Sequence, residues 1–413
     1  MQTSTTFWQK LFTTEFDIDE KFRPICTAIL CLFAIGYPIM FLGLFHFVAF
    51  LGPGLGDDWN MGPFYAAIDT VKPYPLLFTL FIAIVVVTAI YTSVVMMAGY
   101  FLYRKTFNKP YPLTVFFTFF SQNILAATAL GLINVLIGGV AVVFGHDFSV
   151  GLNAIPALLM RVYALGQQVP TIPDALGFHV PGWLAFLLVI QVGGFFHYWL
   201  HRLAHESRAL WLLYHRPHHM TPELIQPTTQ PVITAFPFML LVAVPYVLIF
   251  SALGKLITTE SIVVYIITFR MLILIPNLFS HQTSLYHWSH KQWWLRLLSN
   301  FSSEGVYHYM HHSREKEHNN SRGNLVNIGG GLFFIWDRVF GTWRDVSDHR
   351  PKVGLMNIEP EQLTTNPLRL VFAGVAQLAY ELAMNIGWKT RWKILMGGSD
   401  YAPPVTRDFA LKR

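Results

Sequence analysis

Long apolar runs separated by short polar segments form most of the chain. An α-helix needs about 20 apolar residues to cross the hydrocarbon core of a bilayer. Six runs approach or exceed this length, near 25–51, 76–102, 113–145, 182–200, 232–254 and 261–280. The pattern predicts an all-α fold: a polytopic membrane helical bundle of about six spans.

The basic residues indicate how these spans are oriented. Lys and Arg are concentrated before the first run and after the second and fourth runs, at Lys21, Arg23, Arg104, Lys105, Lys109, Arg202, Arg208 and Arg216. The opposite connections are poorer in Lys and Arg, and one of them carries Asp57, Asp58 and Asp69. Because cytoplasmic loops carry the excess of positive charge, both chain ends and the segments after the fourth run are expected in the cytoplasm.

Composition supports a membrane protein and argues against other classes. Of the 413 residues, 53% are hydrophobic and 13% are charged, with a mean hydropathy of +0.42. The net charge of +6 does not indicate nucleic acid, because the basic residues lie in short loops and not along one face. Cys26 and Cys31 both lie in the first run, so neither a disulfide framework nor a cysteine metal site is predicted.

Histidines are concentrated after the fourth and sixth runs. Of 17 histidines, 13 lie between residues 197 and 318. His201 and His205 are four residues apart, so on a helix their rings share one face, about 6 Å apart along the axis. Pro217 interrupts the segment HRPHH, so His215 is expected to end one element and the next two histidines to begin another turn.

The run HYMHH supplies a second group, made of His308, His311 and His312. On a helix His311 and His312 lie about 60° and 40° to either side of the line through His308, an arrangement that suits two adjacent metal ions. Neutral imidazole binds iron, copper, nickel and zinc, and nine ligands exceed what one ion can use. The predicted ligands of two metals are His201, His205, His215, His218, His219, His281, His308, His311 and His312. Weaker candidates to complete the set are His197, His287, His290 and His318.

These motifs resemble a known family. HRLAH, HRPHH and HYMHH in this order, followed by WDRVFGTW at 336–343, resemble the fatty acid hydroxylase and sterol desaturase superfamily of integral-membrane di-iron enzymes, over roughly 182–343. His281 falls where that family carries a further ligand, whereas Gly194 and His197 replace an acidic and an aromatic residue. The resemblance implies two non-haem Fe ions that use O2 to hydroxylate or desaturate a C–H bond of a lipid, such as a fatty acyl or sterol-like substrate.

Electrons for this chemistry are expected from a separate donor protein of the ferredoxin or cytochrome type with its reductase. The chain has no motif for a fused redox module, and the glycines at 329–331 lack GxGxxG spacing. Glu206, Glu223 and Glu304 lie near the histidine motifs and could orient ligand rings. WDRVFGTW is expected to be structural.

Two other classes fit part of the pattern. A membrane zinc hydrolase needs three ligands and a water molecule, but HExxH is absent because position 209 is Ala. A metal transporter with cytoplasmic His-rich loops usually has ligands at mid-membrane, and the apolar runs carry almost none. Metal content would discriminate between these classes.

The expected organisation is an N-terminal cytoplasmic or interfacial segment (1–24), a transmembrane region (25–180), a catalytic domain (181–345) and a C-terminal cytoplasmic or interfacial tail (346–413). Residues 367–396 are expected to form an interfacial helix or to pack under the cytoplasmic domain. Arg270, at the centre of the sixth run, is predicted to bind an acidic or phosphate-bearing head group of the substrate, because a charge there is costly. The alternative is that its long side chain reaches an interface or freed carbonyls.

Overall fold

The computed structural model describes residues 14–15, 23–46, 72–109, 113–148, 154–220, 224, 232–260, 262–319, 325–384 and 386–412. Over these residues the protein is mostly helical, and extended pairing is limited to isolated bridges. The prediction of a helical fold is therefore confirmed for the described part of the chain.

Three long helices correspond to the first three apolar runs. They are α1 (Arg23–His46), α2 (Pro75–Phe107) and α3 (Leu113–Val143). α1 packs against α2. α2 begins with a proline in its first turn and ends at Asn108, which adopts a left-handed conformation and donates its N–H to the Arg104 carbonyl at 2.9 Å. α3 continues without a break through its polar residues at 121–123.

The next long helix leads directly into the histidine-rich region. After α4 (Ala154–Gly166) and α5 (Ile172–Leu176), α6 spans Gly182–Glu206 and ends where Ser207 becomes extended. Among the described residues, one helix, α6, is long and apolar enough to cross a membrane. This single helix does not confirm the six predicted spans.

Short helical turns follow α6 and hold the second histidine motif, HRPHH at 215–219. α7 (Arg208–Leu210) leads into a π-helical turn, Trp211–His215, and then into α8 (Arg216–His219). Pro217 lies in the first turn of α8, where its missing N–H costs no intrahelical hydrogen bond. The local structure agrees with the division predicted at His215.

A helical hairpin separates the two histidine-rich regions. α9 (Val232–Ile257) packs against α4 and α6, and α10 (Ile262–Leu272) packs against α6 and α9. Val189, Phe250 and Ile262 form the apolar core between α6, α9 and α10. The predicted sixth span is interrupted, because α10 ends at Leu272 and α11 (Leu274–Asn277) is a separate turn.

Short elements then return the chain to the end of α6. They are a 3-10 turn (Thr283–Leu285), α12 (Tyr286–Ser289), α13 (Trp293–Ser302), α14 (Val306–His311), a second 3-10 turn (Lys316–His318) and α15 (Ile335–Val339).

The C-terminal region comprises a 3-10 turn (Pro360–Gln362), α16 (Pro367–Ala383) and α17 (Trp388–Met396). α16 packs against α3 and against the π-helical turn. A Cβ atom at Gly374 would lie 1.8 Å from the Leu212 carbonyl oxygen, so glycine is needed for this close contact. Of the two predictions for 367–396, α16 agrees with packing under the histidine-rich region.

Candidate metal centre

The nine main candidate histidines come from four places in the chain and converge. α6 carries the first pair, the π-helical turn and α8 carry three more, one follows α11, and the remaining three lie in α14 or directly after it. In the chain the two halves of this centre are separated by the hairpin of α9 and α10. Their convergence is therefore a product of the tertiary fold.

Four of these histidines form a group that we call site A: His201, His205, His215 and His311. One ligand nitrogen from each lies within 4.8 Å of the others. The Nε2 atoms of His201 and His215 are 3.0 Å apart, and those of His205 and His311 are also 3.0 Å apart. The i, i+4 pair on α6 thus faces one side of the group, as the spacing predicted.

Four others form site B: His218, His281, His308 and His312. Their ligand nitrogens also lie within 4.8 Å of one another. The Nε2 atom of His312 is 3.1 Å from that of His281 and 3.2 Å from that of His308. HYMHH therefore supplies His311 to site A and the other two histidines to site B, which is the fork predicted from helical geometry.

His219 lies between the two sites. Its Nε2 is 3.1 Å from Nε2 of His215 in site A, while its ring stacks on that of His312 in site B, with centroids 4.3 Å apart. Its position is suited to completing the ligand set of either site.

Backbone carbonyls fix the orientation of two rings in site A. Nδ1 of His201 lies 2.5 Å from the Ile328 carbonyl oxygen, and Nδ1 of His311 lies 2.8 Å from that of Val326. A carbonyl can only accept, so each Nδ1 carries the proton and donates it. Each Nε2 is left with a lone pair directed into site A, which is the tautomer a metal ligand requires.

Asp337 holds the loop that supplies these carbonyls. Its buried carboxylate accepts hydrogen bonds from Ile328 N at 2.7 Å, Gly329 N at 3.0 Å and the Thr342 hydroxyl at 2.7 Å. The WDRVFGTW segment therefore acts on the histidines indirectly, through the loop at 326–331.

Glycines allow the same loop to approach α6. Gly329, Gly330 and Gly331 all have positive φ, and a Cβ atom at Gly194 would lie 2.2 Å from the backbone of Gly331. Gly194 departs from the family pattern, and this contact explains why a side chain would not fit there. The glycine run therefore allows the loop at 329–331 to pack closely against α6.

Charged residues near the C-terminus brace the second histidine motif. Arg208 donates to both carboxylate oxygens of Glu381, at 2.7 and 2.8 Å, and both side chains are buried. Arg216 pairs with Asp408 and donates to Gln377. The sequence analysis missed this role, because the partners lie more than 160 residues apart and carry no motif.

Burial keeps the clustered imidazoles neutral. Together with neighbouring histidines, it holds the pKa of His215, His308 and His312 well below the ordinary value. For His311, burial lowers the pKa to about 3, although the hydrogen bond to Val326 opposes this effect. Neutral imidazoles present lone pairs to a cation and bear no charge that would repel it.

The polar atoms around the rings fit a metal centre. Among the described residues, Nδ1 of His205, His219, His308 and His312 is buried without a hydrogen-bond partner. Unsatisfied buried groups cost about 1–3 kcal/mol each. The Nε2 atoms of neighbouring rings also lie 3.0–3.2 Å apart, where their lone pairs face one another. Metal ions bound at Nε2 would remove this second unfavourable contact.

The weaker histidine candidates lie outside both sites. His197 is exposed one turn before His201, His287 is exposed, and His290 is buried with Nδ1 2.6 Å from the Tyr286 carbonyl oxygen. His318 contacts the Ser313 hydroxyl at 2.8 Å and lies 3.6 Å from the Glu317 carboxylate. The structure therefore does not bring these four rings into the two groups.

The three glutamates near the motifs differ in position. Glu304 lies 3.6 Å from Nδ1 of His308, whereas Glu206 pairs with Arg202 at 3.2 Å. Glu223 lies outside the described residues. Of the two glutamates that the structure describes, Glu304 lies beside a candidate ligand, His308.

Arg270, the predicted substrate contact, lies on α10, and its side chain is outside the described part of the structure. Its role stays a prediction.

Comparison with known proteins identifies the region that contains both sites. The family model for fatty acid hydroxylases matches residues 186–342, a segment that includes all nine converging histidines. The comparisons with curated proteins and with solved structures found no match. The family is one of membrane-associated, metal-dependent oxidoreductases. Residues 186–342 therefore match the fatty acid hydroxylase family, which is part of the histidine-box sterol desaturase and fatty acid hydroxylase superfamily.

Proposed function

We propose that this protein is an O2-dependent, membrane-bound di-iron enzyme that hydroxylates or desaturates a C–H bond of a lipid. The family match supports a lipid-oxidising enzyme of the hydroxylase or desaturase type. The proposal of a di-iron centre depends on the pairing of sites A and B, each with four imidazole nitrogens within 4.8 Å of one another.

Each site would hold one iron ion, and His219 would complete the coordination of one of them. Iron suits imidazole ligands, and the bound pair would supply the activation of O2 needed to oxidise an unreactive C–H bond. Because iron can accept up to six ligands, four imidazoles per ion would leave coordination positions open.

The chain's own residues would orient and isolate this centre. The carbonyls of Val326 and Ile328 hold two rings in the ligating tautomer, and burial of the rings excludes bulk water. A dry, fixed set of ligands is what the protein contributes in such enzymes.

The proposed reaction needs electrons from outside the chain. Hydroxylation consumes one O2, two electrons and two protons, and yields the alcohol and one water; desaturation consumes the same reactants and yields the alkene and two waters. We expect the donor to be a ferredoxin- or cytochrome-type protein with its reductase. Glu304, beside His308, is a candidate to orient that ring.

We also propose that the chain crosses the membrane about six times, with sites A and B facing the cytoplasm. The positions of Lys and Arg support this topology, because they cluster on the side of the histidine motifs.

Metal analysis of purified variants tests the proposal. Wild-type protein should contain two irons per chain and should convert a membrane lipid to a product with one added oxygen or two fewer hydrogens. His311→Ala in site A and His218→Ala in site B should each lose iron and activity. His146→Ala is the matched control, since His146 is exposed and outside both sites, and it should retain both.

Other metal contents would contradict the proposal. Tightly bound zinc with one open coordination position would favour a hydrolase, and exchangeable metal that crosses liposome membranes would favour a transporter. Full iron occupancy in both site variants would exclude the ligand assignment.

Arg270 is proposed as the contact for an acidic head group of the lipid. It lies on α10, 11 residues before His281 of site B, so the chain places it on the segment that leads into the metal centre. Arg270→Gln should raise KM and leave iron content unchanged. An unchanged KM, or loss of the folded protein, would contradict a role in substrate binding.

A further inference from the structure

α17 has an exposed aromatic face that the metal centre does not use. Trp388 and Trp392 are 72% and 60% exposed, and Leu395 and Met396 are also exposed. At 3.6 residues per turn these four side chains fall within an arc of about 100° on one face of the helix. Exposed tryptophans on a single face are unusual for a surface that meets only water.

The opposite face of α17 is seated on the protein. Ile394 is fully buried and packs in a cluster with Leu212 and Leu378. α17 also packs against α7 and α16. The helix is therefore held in one orientation, and the exposed face does not result from a loosely attached tail.

Basic residues flank the aromatic face. Lys389 and Lys393 lie to one side of it, Arg391 lies to the other, and all three are exposed. Long basic side chains beside an apolar face can extend to head groups while their stems cover apolar surface. Tryptophan is enriched at the level of the head groups for a related reason, because its ring is amphipathic.

The fold places α17 at the C-terminal end of α6, which is long and apolar enough to cross a membrane. Arg208 N donates to the Gly397 carbonyl at 2.9 Å, and Ser399 N donates to the Glu206 carbonyl at 2.8 Å. These bonds join the C-terminal end of α17 to the C-terminal end of α6. On α6 the exposed apolar surface continues to Leu203, one turn before this junction.

We infer that α17 docks on the membrane surface, with Trp388 and Trp392 among the head groups and Lys389, Arg391 and Lys393 bound to anionic phospholipids. The partner follows from charge complementarity and from the attachment to α6. α17 contacts α7, which precedes the second histidine motif, and α16 contacts the π-helical turn that carries part of it. This docking would therefore set the position of the metal centre relative to the lipid surface. The inference does not depend on the identity of the metal or of the reaction.

Quenching by labelled lipids tests this docking in the full-length protein. After Cys26 and Cys31 are replaced by Ala, a fluorophore is attached at Trp392→Cys, or at Glu361→Cys as a control on an exposed polar turn. The protein is placed in phosphatidylcholine nanodiscs containing a small fraction of spin-labelled phosphatidylserine or spin-labelled phosphatidylcholine. Quenching is expected at position 392 and not at 361, with a several-fold preference for phosphatidylserine.

A charge variant separates the anionic contribution from apolar insertion. Lys389→Gln, Arg391→Gln and Lys393→Gln combined should remove the preference for phosphatidylserine while leaving quenching at 392. Equal quenching by both lipids in the unaltered chain would overturn the anionic assignment. Absence of quenching at 392 would overturn docking altogether, and a concentration-dependent change at 392 in detergent would assign the face to a second copy of the chain.

Discussion

Asp337 shows at the level of one residue how the metal centre depends on atoms outside it. Burial raises the pKa of this carboxyl group to about 6, while its hydrogen bonds to Thr342, Gly329 and Ile328 oppose that rise. It is therefore mostly ionised at neutral pH, and its carboxylate can accept from two backbone N–H groups. The sequence predicted a structural role for its motif, but the partners lie in an irregular loop that no periodicity reveals.

Asp337→Asn should disturb this loop. The amide keeps one acceptor oxygen but turns an NH2 group toward a backbone N–H, so a buried donor loses its partner. We expect a loss of about 1–3 kcal/mol in the free energy of unfolding and reduced iron occupancy, because the carbonyls of Ile328 and Val326 would shift. Thermal unfolding and metal analysis in detergent measure both effects.

The matched control for this change is Asp345→Asn. Asp345 is 54% exposed and pairs with Arg296 at 3.1 Å on the surface, so a change within about 0.5 kcal/mol is expected. If the two variants behaved alike, Asp337 would have no part in positioning the loop.

At the level of elements, helical periodicity predicted much of the centre. Spacing on α6 predicted that His201 and His205 face one site, and spacing in HYMHH predicted the division between two sites. Periodicity could not predict contacts between distant segments. The approach of the loop at 329–331 to Gly194, and the packing of α16 on the π-helical turn, depend on shape complementarity between parts of the chain that share no sequence pattern.

Glu381→Gln tests whether α16 stabilises the turn that carries the second histidine motif. Arg208 and Glu381 are 4% and 0% exposed, so removal of the negative charge leaves the guanidinium buried without its counter-charge. Breaking a buried pair in this way typically costs about 3–5 kcal/mol. We expect a loss of this order in unfolding experiments, with faster release of iron to a chelator.

Glu359→Gln provides the same substitution in a surface pair. Glu359 is 65% exposed and contacts Arg314 at 2.8 Å, and exposed pairs contribute about 0–1 kcal/mol. A comparable loss in both variants would show that burial of the Arg208 pair has no special effect on stability.

For the whole molecule, the position of the metal centre constrains the path of the chain. Site A contains residues from α6 and α14, so the chain must leave α8, run through α9 and α10, and return to the same place. α9 is long enough to cross a bilayer core at 26 residues, or about 39 Å. α10 and α11 together span 262–277, about 24 Å, which is shorter than a core of about 30 Å. Apolar composition alone could not reveal this shortfall, because the apolar run continues through the break at Ile273.

The connection between α9 and α10 is therefore the decisive place to test the topology. If both helices cross, with the short one accommodated by local thinning of the bilayer, residue 259 lies on the opposite side of the membrane from both metal sites. We expect Thr259→Cys and Lys291→Cys, both at exposed positions, to react with an impermeant maleimide from opposite sides of sealed vesicles. Cys26 and Cys31 are replaced by Ala in both variants, and permeabilised vesicles show that each cysteine can react. Reaction of both cysteines from the same side would mean that the hairpin enters and leaves one face, and the proposed six-span topology would be wrong.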